Sequence, residues 1–148
     1  MPTHAEKRIL PYPPEKLYNL VSDVEKYPEF LPWCIALRVH RREVKTINAD
    51  MIIGFKVFRE KFTTRITLNP QSRIDVEYLD GPFKYLNNHW IFNPIESEAC
   101  EIDFYVDFEF KSLILQKAMG AVFNEAVRKM INAFEARAHI IYGRQLKK

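Results

Sequence analysis

Histidines stand at positions 4, 40, 89 and 139, too scattered for the close spacing by which paired imidazoles hold a catalytic or structural metal. A metal site is not expected. The glycines at 54, 81, 120 and 143 form neither a G-x-G-x-x-G turn nor a Walker loop, so nucleotide phosphates have no backbone cradle of those kinds. The serines at 22, 72, 97 and 112 lack a G-x-S-x-G elbow, and Cys34 and Cys100 belong to no C-x-x-C pair or catalytic signature. Such cysteines are ordinarily small core hydrophobes. Asp103 and Asp107 share the polar phase of an alternating segment, where solvation is their expected role. Elimination favours binding over catalysis, although a pocket can also catalyse with one buried acid or tyrosine.

The densest apolar and aromatic cluster outside the alternating segments is Tyr27-Pro28-Glu29-Phe30-Leu31-Pro32-Trp33-Cys34. Its two prolines predict a rigid loop rather than a regular helix, presenting Phe30, Leu31 and Trp33. That loop is either an interaction tip or a lid plugging the end of the core. Gly81-Pro82-Phe83-Lys84-Tyr85-Leu86 offers a second apolar tip beside a basic residue; turn and core duty alone would explain Gly81 and Pro82, whereas a turn does not need Phe83. Arg137 falls within the apolar arc of a C-terminal helix, so its guanidinium either snorkels to solvent or reaches a ligand oxygen.

Two periodicities position these residues. Ile102, Phe104, Val106, Phe108 and Phe110 alternate with Glu101, Asp103, Tyr105, Asp107 and Glu109, which predicts a strand with one buried and one wet face. The same period of two runs through Phe62 to Leu68, Ile74 to Tyr78, Met51 to Val57 and Ile35 to Val39, with turn residues between. An antiparallel meander from about residue 34 to residue 110 follows, preceded by an opening strand near residues 3 to 10 and a short helix started by Pro13-Pro14. After Ser112, the expected N-cap, Met119, Phe123, Val127, Met130, Phe134, Ala138 and Ile141 recur at steps of three and four. One amphipathic helix of roughly 30 residues is predicted.

These elements make an α+β fold in which a curved antiparallel sheet wraps a long C-terminal helix and leaves a ligand space, roughly 300 to 1,000 Å³ in sites of this kind. From the sheet, a ligand would meet Phe55, Phe62, Ile66, Val76, Tyr78, Trp90, Phe92, Phe104 and Val106. The helix would add Phe123, Val127 and Met130, and the two loops Phe30, Leu31, Trp33 and Phe83.

With 148 residues, 47% hydrophobic, the chain suits a single domain spanning residues 1–148 that buries a core without disulfides or metals. Two unpaired cysteines point to a reduced compartment. No apolar run reaches the ~20 residues of a membrane span, and the opening residues lack the apolar region of a secretory signal. A cytoplasmic protein is expected. Charge is uneven: residues 1–110 hold 14 Lys plus Arg against 17 Asp plus Glu, whereas residues 111–148 hold 8 against 2. The C-terminal segment suits an anionic surface.

The run Tyr27-Pro28-x-Phe30-Leu31-Pro32-Trp33-Cys34, the Gly81-Pro82-Phe83 turn followed by Trp90-x-Phe92, and Phe108-Glu109-Phe110-x-Ser112 together resemble the coenzyme Q-binding, START-like proteins of the polyketide cyclase and ribosome-association toxin family. The resemblance spans essentially the whole chain. It implies the helix-grip (START/Bet v 1-like) fold and a non-enzymatic protein, without cofactor, that binds ubiquinone or a related polyprenyl lipid and supports respiration and quinone biosynthesis. It also implies peripheral contact with the inner membrane. The same family includes a toxin that binds the large ribosomal subunit and blocks subunit joining, and the basic C-terminal segment suits ribosomal RNA as well as anionic lipid. No aromatic RNA-binding motif accompanies that charge, and DNA binding is not implied.

Overall fold

Period-two alternation becomes seven strands: β1 (Thr3–Leu10), β2 (Cys34–Arg42), β3 (Thr46–Phe55), β4 (Phe58–Asn69), β5 (Arg73–Asp80), β6 (Phe83–Glu96) and β7 (Ala99–Phe110). They form one antiparallel sheet ordered β1-β7-β6-β5-β4-β3-β2, so the meander is unbroken and the N-terminal strand adds beside β7. The computed structural model describes residues 3–55, 58–96, 98–120 and 123–146; side chains at 55, 58, 119, 123, 124 and 144–146 lie outside that description. Register aligns the apolar phases. Phe104 stands opposite Trp90, Trp90 opposite Ile74, and Ile74 opposite Leu68, a row across four strands that seats the core.

The helices are α1 (Pro14–Ser22), α2 (Tyr27–Phe30), α3 (Leu113–Gly120) and α4 (Phe123–Leu146), with a 3₁₀ turn at Val24–Lys26. Pro14 occupies the first turn of α1, where its missing N–H costs nothing, and Leu17, Tyr18, Leu20 and Val21 are buried. Ser112 caps α3: its Oγ accepts the Leu115 N–H at 3.2 Å and its carbonyl the Gln116 N–H at 3.0 Å. The expected single C-terminal helix is assigned as α3 and α4, with residues 121 and 122 outside the described residues.

Three expectations need correction. The Tyr27–Cys34 run is not wholly loop, because Pro28 fits the first turn of α2, and Leu31, held extended before Pro32 (φ −80°, ψ 127°), ends it after one turn. Ile35 is exposed although the alternation turned it inward; a register shift between Cys34 and Ala36 hands the buried position to Cys34. The buried stripe of α4 includes Ala126 and Ile131 and stops at Ala138, leaving Ile141 exposed. Beyond Ala138 the helix packs over α1, where the Tyr142 hydroxyl donates to the Lys16 carbonyl at 2.9 Å.

Gly81 has φ +147°, and a Cβ there would sit 2.6 Å from the Cβ of Phe62. Both strain and collision oppose any side chain. Gly81→Ala should therefore cost ~2 to 3 kcal/mol in urea denaturation, whereas an ordinary turn position would lose less than ~0.5 kcal/mol.

Candidate functional site

A cavity of about 210 Å³ lies between the concave sheet face and α4. Leu31, Trp33, Phe62, Ile66, Val76 and Phe83 line it, as do Trp90, Phe104, Val106, Val127 and Met130. Phe30, Tyr78 and Phe92 do not. Phe30 packs edge-on against Phe134 at 5.2 Å, the Tyr78 hydroxyl accepts the Phe83 N–H at 3.0 Å, and Phe92 meets Tyr18 edge-on at 5.9 Å. The side chains of Phe55 and Phe123 lie outside the described residues.

The cavity is smaller than expected because aromatic rings occupy one end of the grip. Phe83 stacks on Phe110 with centroids 4.8 Å apart and meets Phe108, Phe62 and Tyr78 edge-on at 5.2, 5.4 and 5.5 Å. The apolar tip expected at Phe83 is therefore internal; its ring is 3% exposed. The other loop also turns inward. Leu31 is buried, and the Trp33 indole N–H donates to the Ala126 carbonyl on α4 at 3.4 Å, so the run forms part of the cavity wall rather than a free tip.

Arg137 neither snorkels freely nor enters the cavity. It donates to Glu29 at 2.8 Å and lies 5.1 Å from the Phe30 ring centroid, clasping α2 to α4. Its Nε is buried without a hydrogen-bond partner among the described residues. That hydrogen bond from Arg137 holds the Glu29 carboxyl below its usual range.

Polar groups on the wall are few, and the sequence analysis did not single them out. Thr64 is 4% exposed and lines the cavity, the one buried polar residue on its wall among the described residues. Asn88 donates its amide to the Tyr105 carbonyl at 2.8 Å and keeps its own carbonyl oxygen unpartnered among the described residues. Glu60 stands two residues before Phe62 on the same strand face. Each breaks an otherwise apolar inward phase, and that was the signal available. Tyr27 also lines the wall, but burial raises its pKa far above the usual phenol range and its hydroxyl donates to the Val21 carbonyl. Burial likewise pushes the Cys34 and Cys100 thiols up to about 11, so neither is a thiolate near neutral pH. Among the described residues, no group of three or more His, Cys, Asp or Glu side chains could hold a metal ion, and no helix is long and apolar enough to cross a membrane.

A curved antiparallel sheet gripping one long helix around an apolar cavity defines the START-like class of ligand-binding folds. Residues 10–135 match the family described as polyketide cyclase / dehydrase and lipid transport, and the chain belongs to that family. It is 37% identical over 143 residues to the ribosome association toxin RatA of Escherichia coli K12, covering 97% of this chain and 90% of the relative. It is 34% identical over 146 residues to a mitochondrial coenzyme Q-binding protein, the COQ10 homolog B of Xenopus laevis, covering 96% of this chain and 60% of that protein. The solution structure of the 18 kDa protein CC1736 from Caulobacter crescentus superposes with a TM-score of 0.78 at 40% identity, covering 97% of this chain and 99% of that one.

Proposed function

We propose that the protein is a lipid chaperone that binds ubiquinone or a related polyprenyl lipid in the cavity, without catalysing a reaction, and supports quinone biosynthesis and respiration from the cytoplasmic side of the inner membrane. The observation that carries this reading is an almost wholly aromatic and aliphatic wall interrupted by the hydroxyl-bearing side chain of Thr64 and the amide of Asn88. A quinone ring is flat, apolar on its faces and accepts hydrogen bonds only at its oxygens. Thr64 supplies a donor for such an oxygen, and the free Asn88 carbonyl would accept from the reduced, quinol form. About 210 Å³ holds a ring and the first part of a tail, so the remaining polyprenyl chain leaves through the mouth. The likeness to a coenzyme Q-binding relative supports the same ligand class.

Trp33 and Trp90 both line the cavity, and quinones quench indole fluorescence on contact. Titration with a short-tailed ubiquinone should give saturable quenching at about one ligand per chain. Quenching that stays linear with concentration would mean collision without a site. Thr64→Val provides a second check: removing the wall hydroxyl while keeping the side chain's shape should weaken quinone binding by about threefold to tenfold. Equal affinity in the variant would remove Thr64 from the site.

A second reading is association with the large ribosomal subunit. It rests on the likeness to RatA and on the basic C-terminal segment, which holds 8 Lys plus Arg against 2 acidic residues. Co-sedimentation with ribosomal subunits at two salt concentrations tests it, because phosphate contacts must weaken steeply as salt rises.

A further inference from the structure

The start of α3 carries a contrast that core packing does not require. Leu115 lines the cavity, whereas Leu113 and Ile114, immediately before it, are 73% and 78% exposed. Lys111 and Lys117 flank this pair; both are exposed, and neither has an ion pair among the described residues. The nearby acid Glu109 is neutralised by Lys84 at 2.9 Å. The exposed pair is held in place. Ser112 caps the helix, the Gln116 side-chain oxygen accepts the Phe110 N–H at 2.8 Å, and the Lys111 N–H donates to the Pro82 carbonyl at 2.8 Å.

We propose that Leu113 and Ile114, with Lys111 and Lys117, form the element that docks the cavity onto an anionic phospholipid bilayer. The inference rests on the reading that the cavity carries a lipid. Two adjacent large aliphatic side chains gain nothing from a hydrated RNA backbone, but they gain by entering the headgroup boundary, while lysines on either side meet lipid phosphates. Continuity with the cavity sets the geometry: a tail leaving past Leu115 meets Leu113 and Ile114 before it meets water. Phe30, Leu31, Trp33 and Phe83 are packed inward, whereas Leu113 and Ile114 stay exposed next to the cavity-lining Leu115.

Binding of the full chain to vesicles of phosphatidylcholine, with and without phosphatidylglycerol, tests the assignment. Leu113→Ser/Ile114→Ser should weaken partitioning about tenfold or more on both vesicle types. Lys111→Gln/Lys117→Gln should remove about tenfold only where phosphatidylglycerol is present. An environment-sensitive fluorophore on Ile114→Cys should shift to the blue on vesicles; the native cysteines are buried, which directs the label. Wild-type protein that ignores both vesicle types would overturn the proposal, as would an unshifted label or a serine variant that binds like wild type. So would lysine substitutions that weaken ribosome binding and leave vesicle binding intact. Both double variants should still quench with a short-tailed quinone in solution. If wild type fails that titration but keeps the vesicle pattern, the cavity reading falls and the docking element stands.

Discussion

Val106→Trp is expected to lower quinone uptake by more than about tenfold while moving the melting temperature by only a few degrees, because an indole added to an empty space meets no packed neighbours. Val106 is partly buried, lines the cavity and stands opposite Asn88 on the next strand, so the new ring projects beside one of the few polar groups on the wall. In a filled core the same change would cost about 1 to 3 kcal/mol through strain. Thermal melting and quinone titration of the same preparation separate the outcomes. A large fall in stability with normal uptake would place no cavity at Val106.

Phe134→Ala should cause the largest loss of stability, about 3 to 5 kcal/mol in urea denaturation. Phe134 is 4% exposed and joins three parts of the molecule: its ring meets Tyr27 at 5.3 Å and Phe30 at 5.2 Å on α2, and Trp90 at 5.0 Å on β6. Removing it uncouples α2 from α4 and opens the cavity wall at the same time. Phe134→Leu keeps most of the volume and should lose much less. A cost below ~1 kcal/mol for alanine would show that α2 is held chiefly by the Arg137–Glu29 clasp, in which Glu29 is half exposed and the ion pair is screened by solvent.

The strands were legible because each has one face in the core and one in water, so period two is written directly into residues such as Ile102 to Phe110. The wall residues on β4 to β7 followed from that phase. The pattern could not supply partners distant in sequence. Arg137 lies 108 residues from Glu29, and no local spacing tells an arginine on an apolar arc that a carboxylate on α2 will meet it. The choice between tip and core for the two loops stayed open in the sequence for a related reason. Phe83 and Leu31 belong to turns and prolines locally, yet the first completes a five-ring cluster and the second lines the cavity. Leu113 and Ile114 were invisible in the opposite direction, since apolar residues at the start of an amphipathic helix look like core until the structure leaves them exposed beside the cavity-lining Leu115. Thr64 and Asn88 were readable in principle, as polar residues standing in an inward phase.

The charge distribution bears on both functional readings. On the outer sheet face Arg73 and Arg65 pair with Asp75 and Glu77, whereas Lys117, Arg128 and Lys129 lie on α3 and α4 and Lys111 stands just before α3. Either a bilayer or a ribosome would be met from the helical side. Only the bilayer also rewards the exposed aliphatic pair on α3.

Gentle organic extraction of the purified protein followed by mass spectrometry is the most direct test of lipid carriage. A polyprenyl quinone or its biosynthetic precursor should be recovered at about one per chain from wild type and be depleted from Val106→Trp prepared in parallel. Protein that yields no lipid from either preparation, and that instead enriches the large ribosomal subunit, would contradict lipid carriage and leave ribosome association as the function.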